Sequence, residues 1–225
     1  MSQEEESTKY IWFDSMVGQT NSGIFKGVAY DNEYRVVNGR YQFFADPNFV
    51  VGSVVFDQQS YFGVYLKYDV FHDNLLISNR DLVDHSELIL EKEKVQTFQI
   101  GKHVFKNIVG LGNKNTKVSG YVEVLISSDS FSLYKEHKKK ILKSTGKNGV
   151  YHQFKDINSF LIQRENIFHT IKSPKDLFTV FPEYRKLIKN SIQQYSTLKK
   201  SRPDEYMKSI ANEILEVMKQ NNSGQ

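Results

Sequence analysis

Val64-Tyr65-Leu66-Lys67-Tyr68-Asp69-Val70-Phe71-His72-Asp73-Asn74-Leu75-Leu76-Ile77 reads as a strand, a polar turn at Asp73-Asn74 and a second strand. The aromatic and β-branched content suits a pleated surface, and the Asp-Asn pair supplies the turn chemistry that reverses the chain. The stretch therefore sets an antiparallel scaffold. Neighbours on a strand point to opposite sides, so Tyr68 is expected in the core and Lys67 in solvent.

Working outward, the same rhythm of strand and turn runs from Ile24 to about Ile171. Asn38-Gly39 tolerates positive φ and separates Tyr34-Arg35-Val36-Val37 from Arg40-Tyr41-Gln42-Phe43-Phe44, a candidate hairpin. Val50 to Phe56, Tyr61 to Val70, Leu88 to Leu90, Val95 to Ile100 and Lys102 to Val109 continue the meander, with Gly101 at a turn. Tyr121 to Ile126, a Ser-rich turn and Phe131 to Tyr134 make the clearest hairpin of all.

After Ser173 the period changes. Ser173 is suited to be an N-cap, Pro174 to N1 and Asp176 to N3, so a helix starts there and is interrupted at Pro182. Pro182 can open a second helix with Tyr184, Leu187, Ile188, Ile192 and Tyr195 on one face. Ser201-Arg202-Pro203-Asp204-Glu205 starts a third, striped by Met207, Ile210, Ile214, Val217 and Met218. The expected architecture is mainly β, an antiparallel sheet or sandwich with long hairpins and two or three C-terminal α-helices. Its expected segments are an N-terminal extension over 1–20, an antiparallel β domain over 21–171 and a helical segment over 172–225 packed on that domain.

With 225 residues, 39% of them hydrophobic, the chain is long enough to bury a sizeable core. Absence of cysteine excludes disulfides, thiolate chemistry and Cys-type zinc sites. No apolar run approaches the roughly 18 residues of a spanning helix. Met1 to Thr8 carry three consecutive glutamates but neither a basic n-region nor an apolar h-region, the pattern of a mature N-terminus without a signal peptide. A net charge of +4 favours acidic surfaces without naming one.

The histidines at 72, 85, 103, 137, 152 and 169 never stand at metal-ligand spacing, and no cofactor motif is present. Gly110-Leu111-Gly112-Asn113-Lys114 lacks the third glycine and following helix of a phosphate loop. Asp69, Asp73, Asp81 and Asp84 form a loose acidic cluster, but turn aspartates usually bond their own backbone. The strongest charge asymmetry lies in Lys135, Lys138, Lys139, Lys140, Lys143 and Lys147. These are the candidate partner-binding residues, on a hairpin whose lysines also guard a sheet edge.

Two segments carry a family resemblance. Leu66-Lys67-Tyr68-Asp69-Val70-Phe71-His72-Asp73, preceded by Gly52-Ser53-Val54, and Lys172-Ser173-Pro174-Lys175-Asp176-Leu177-Phe178-Thr179-Val180-Phe181-Pro182 resemble a family of uncharacterised secreted proteins common in the Bacteroidota. The basic arm between them matches in kind, so the likeness covers roughly 38–195. Members are normally made with a signal peptide, which implies a processed or recombinant form here and a periplasmic location. Some proteins of this general kind act beside outer-membrane machines, including a subunit that plugs the type 9 secretion translocon. The resemblance thus implies a non-enzymatic accessory subunit bound to an outer-membrane or envelope protein, with no nucleic acid as partner and no transmembrane segment. Peripheral contact with an anionic surface is compatible with it. The alternatives are a hydrolase using Asp69 or Asp73 with a histidine, and a nucleic-acid or anionic-surface binder acting through the lysine hairpin.

Overall fold

A computed structural model describes residues 23–25, 27–78, 86–111, 120–146 and 149–223. The strands are β1 (Val28–Ala29), β2 (Val50–Phe56), β3 (Gln59–Asp69), β4 (Asn74–Ser78), β5 (Glu87–Ile89), β6 (Val95–Ile100), β7 (His103–Asn107), β8 (Tyr121–Ile126) and β9 (Ser132–Glu136). They continue with β10 (Lys139–Gly146), β11 (Gly149–Asp156), β12 (Ser159–Arg164) and β13 (Ile167–Ile171). The helices α1 (Leu177–Val180), α2 (Arg185–Gln194), α3 (Leu198–Ser201) and α4 (Pro203–Ser223) follow. The fold is mainly β, with a large antiparallel sheet and C-terminal helices. None of the described helices is long and apolar enough to cross a membrane. The expected extension over 1–20 lies outside the described residues.

The chain divides into two compact units, one made of 1–109 with 137–157 and the other of 110–136 with 158–225. A boundary at 171 does not coincide with this division, because β12 and β13 belong with the helices.

In the first unit the strands pair antiparallel in the order β1-β5-β4-β3-β2-β6-β7, and β10 pairs with β11 as a separate ribbon. Two-residue turns close several hairpins. Asp57 and Gln58 both adopt positive φ between β2 and β3, and Gly101 does so between β6 and β7. The core face carries Val54, Phe56, Val64, Leu66, Tyr68, Phe98, Ile100 and Phe105. Phe98 and Phe105 stack at 4.6 Å, and the Tyr68 ring meets both edge-on at 5.4 and 5.3 Å. Gly52 sits at a bulge where a Cβ would run into the Gln99 carbonyl oxygen of β6, so only glycine lets these strands approach.

Two expectations are corrected in this unit. Asn38 and Gly39 do form a turn with positive φ, but the runs on either side do not pair with each other. The His152 amide donates to the Arg35 carbonyl, Val37 donates to His152 and Phe154 donates to Arg40, while the Phe44 amide donates to Tyr68. Turn chemistry was local and right; the partners were remote. The second correction is Lys67, which is 7% exposed rather than solvent-facing. Its ammonium lies 4.2 Å from the Phe49 ring centroid and 4.6 Å from that of Phe43, and donates to both Glu87 carboxylate oxygens at 2.9 and 3.1 Å. Segment 40–49 covers the face that alternation assigned to water.

Tyr68→Ala is therefore expected to cost on the order of 3 to 5 kcal/mol by emptying the aromatic core. Lys67→Ala should cost about 2 kcal/mol, well above an exposed lysine, through lost stem packing and lost cation–π attraction. Lys67→Met should regain most of that, since an apolar isostere needs no counter-ion. Urea midpoints of the three variants check the ranking, and a Lys67→Ala midpoint equal to the parent's would refute the caged lysine.

In the second unit β8-β9-β12-β13 pair antiparallel, and the helices pack on this sheet. Phe131, Leu133, Ile162 and Ile171 from the strands meet Leu177, Phe181, Ile188, Tyr206, Met207, Ile210 and Ile214 from the helical segment. The stripes of both α2 and α4 are thus covered by this unit's own strands. The helix entry is as the residues demand: Pro174–Asp176 form a 3-10 turn, and the Asp176 carboxylate accepts from the Lys172 and Ser173 amides at 2.8 Å. Glu165 and Asn166 take positive φ between β12 and β13. Beside that turn, Arg164 donates to the Val180 carbonyl at 2.7 Å, pairs with Glu183 at 2.9 Å and lies over the Phe181 ring, locking the end of α1 to the sheet.

His169 on β13 carries a pH consequence. Burial, then the Arg164 charge, holds its imidazole below the ordinary 6.5. The unfolded chain therefore binds the extra proton first as pH falls, so stability is lost as pH drops through 6.5 toward the lower folded value. His169→Gln should flatten the stability profile in that window. An unchanged slope between pH 7 and about 5 would show that His169 contributes nothing to it.

Candidate functional site

A polar constellation in the first unit grows from Asp69, the last residue of β3. Its carboxylate is fully buried. One oxygen accepts from the Phe71 and His72 amides at 3.0 and 3.1 Å, which shapes the turn into β4. The other lies 2.8 Å from His72 Nδ1 and accepts from the Tyr30 hydroxyl at 3.0 Å. In the neutral ring whose Nδ1–H is given to Asp69, Nε2 accepts from the Tyr34 hydroxyl, 3.1 Å away. Carboxylate, imidazole and phenol thus stand in line.

Aromatic packing holds the line in place. Tyr34 stacks on His72 at 5.6 Å and meets His152 and Phe154 of β11 edge-on at 5.2 and 5.1 Å. Burial raises the Tyr34 phenol above its ordinary value, and Glu33 and Asp69 add to it. Burial raises Tyr30 further, with the Asp69 charge and hydrogen bond acting in the same direction. Both phenols therefore stay protonated and donate. Gln42, fully buried, donates to the Tyr30 hydroxyl at 3.2 Å and to Asn32 at 2.9 Å, tying the 30–42 segment into the cluster. Chemically, the set is a base held by a buried carboxylate, with a neutral phenol on its far nitrogen.

Asp73, the other carboxylate singled out by sequence, is spent on structure: it accepts from the Tyr68 hydroxyl at 2.7 Å and from Lys92 at 2.8 Å. Asp81, Asp84 and His85 lie outside the described residues, as do Gly112-Asn113-Lys114. His103 and His137 pack edge-on against Phe44 at 5.0 and 4.9 Å. Among the described residues no group of three metal-ligating side chains converges. An apolar hollow of about 230 Å³, lined by Phe44, Val50, Leu66, Tyr68, Ile100 and His103 among others, includes neither Asp69 nor His72 in its wall.

The six lysines of the candidate patch do not act as one group. Lys135 belongs to the second unit, where it donates to Asp204 at 2.7 Å. Lys139 is turned inward in the first unit, donating to the Tyr41 and Phe43 carbonyls at 2.8 and 2.7 Å, and burial lowers its pKa while nearby Asp156 opposes the shift. Lys138, Lys140 and Lys143 are exposed at or on the β10–β11 ribbon, and Lys147 lies outside the described residues. Two members are thus structural and three face water.

No family model, curated protein or solved structure matches this chain. The family likeness rests on the residues quoted for it alone.

Sequence reasoning named Asp69 with a histidine as one alternative but not which histidine, and the structure makes it His72. A signal was present, since an Asp three residues before a His across a turn brings the carboxylate to both the backbone amides and the ring. Tyr34 and Gln42 had no such signal, because His72 lies 38 positions from Tyr34, and Gln42 reaches Tyr30 and Asn32 from 12 and 10 positions away.

Proposed function

We propose that this protein is a non-enzymatic binding subunit of the cell envelope, an accessory to an outer-membrane complex such as a plug of the type 9 secretion translocon. The observation that supports the reading is the β10–β11 ribbon, a two-stranded element outside the main sheet with Leu142 and Val150 exposed beside its lysines. Exposed apolar side chains framed by charge on such a ribbon are the composition of a docking element. Periplasmic placement is carried by the family resemblance. Crosslinking in intact cells followed by affinity purification from envelope extracts tests it. A reproducible outer-membrane partner supports the reading, and recovery of the protein alone from the soluble cytoplasmic fraction would overturn it.

A second reading, hydrolysis with His72 as general base, is favoured by the Asp69–His72–Tyr34 line. It predicts that ester or glycoside turnover by the parent is abolished in His72→Ala. Turnover that survives that substitution, or none in the parent, removes it. The nucleic-acid alternative predicts binding that falls steeply with salt.

A further inference from the structure

The β10–β11 ribbon has two edges, and they differ. Along β11 the outer edge is occupied: the 35–40 segment exchanges backbone hydrogen bonds with His152 and Phe154. Along β10 the outer edge, eight residues from Lys139 to Gly146, has no backbone partner among the described residues. In an antiparallel pair, alternate residues of an edge strand turn N–H and C=O outward, so this edge offers a row of unpaired donors and acceptors.

The side chains on that edge select what can occupy it. Lys140, Leu142 and Lys143 are exposed. Lys140 stands directly across from Lys155 in the register, and Lys143 across from His152. Like charges facing each other across a ribbon repel, and a carboxylate arriving on the free side of Lys140 relieves that repulsion. A second copy of β10 would bring lysine against lysine, so the same charges that bar self-pairing admit an acidic strand.

We infer that β10 is the acceptor edge for an extended, acidic segment of a partner protein, which adds as a strand with carboxylates beside Lys140 and Lys143 and an apolar side chain beside Leu142. The inference rests on the binding reading above and names the partner's chemistry for it.

The test uses the full chain and a synthetic eight-residue peptide of Thr, Val and Glu, labelled for anisotropy, whose two glutamates stand three positions apart with a valine between them, matching the opposite faces of Lys140 and Lys143 and the place of Leu142. Two further versions are N-methylated at alternate residues, one in each frame. Strand addition requires that one methylation frame abolish binding while the other leaves it intact, and that Lys140→Glu with Lys143→Glu weaken the parent peptide at least about tenfold. Equal binding of both methylated peptides, or full displacement by heparin or phosphatidylglycerol vesicles without any frame effect, would reveal a general polyanion patch and overturn the inference. So would no saturable binding at about 1 mM peptide. Envelope capture separates this from the broader reading. If the doubly substituted protein recovers the same partner as the parent, the edge inference fails and the binding reading stands. If the parent recovers none while the peptide shows the frame effect, the edge is competent and the assigned role is wrong.

Discussion

Deleting Ser201 to Gln225 should leave the unit built on β8, β9, β12 and β13 unable to hold its tertiary structure. The deletion removes Tyr206, Met207, Ile210, Ala211, Ile214 and Leu215, each at most 5% exposed. Fully burying one large apolar side chain stabilises by ~1.5–3 kcal/mol, so five of them are worth about as much as the entire net stability of a domain. What remains would expose Phe131, Leu133, Ile162 and Ile171, the sheet side of the same core. Expected results are a strongly lowered melting temperature, binding of a hydrophobic dye and aggregation on warming. Ile214→Ala provides the graded version, at roughly 2 to 5 kcal/mol. A truncated chain that melts like the parent would mean that α4 is not part of this core.

Asp69→Ala should damage the first unit as severely as the loss of a core aromatic. It leaves the Phe71 and His72 amides, the His72 ring and the Tyr30 hydroxyl without the fully buried carboxylate that accepts from them. Removing one partner from such a buried network costs about 3–5 kcal/mol, which in a chain of this size lowers the melting temperature by roughly 10 °C. Asp69→Asn should fall between, because its carbonyl oxygen still accepts from the two amides while its NH₂ faces two donors. Differential scanning calorimetry with the His72 ring resonances as a local reporter checks both. An Asp69→Ala protein with parental stability and an unmoved His72 ring would show that the network does not hold the turn.

Legibility in the sequence followed the range of the interaction. β2, β6 and β8 occupy the runs that alternation and turn residues mark, and the Ser173-Pro174-Asp176 helix entry forms from its own side chains. Those signals act within a few residues. The turns Asp57-Gln58 and Glu165-Asn166, built without glycine, carry a weaker signal, since Asp and Asn favour positive φ whereas Gln58 and Glu165 are held there between paired strands. Lys67 and Lys139 were misread for a common reason. A long side chain can place its ammonium on rings and carbonyls brought by a distant segment, and one-sided alternation has no means of seeing that second layer. The Asp69 cluster was half visible: its backbone bonds are local, whereas Tyr30, Tyr34 and Gln42 reach it only once the 30–44 segment has been laid along β3 and β11.

The division into 1–109 with 137–157 and 110–136 with 158–225 means that the chain passes from one unit to the other and back before it ends. Each unit is thus assembled from two separate pieces of polypeptide. On a ribosome or emerging from a translocation pore, β1 to β7 must wait for β10 and β11, and β8 and β9 must wait for everything after 158. Long-range closure of this kind slows folding and lengthens the time that unpaired edges are exposed. One cut in the chain cannot yield two foldable fragments, and a split-protein reporter placed at 109 or 157 would demand reassembly of both units at once.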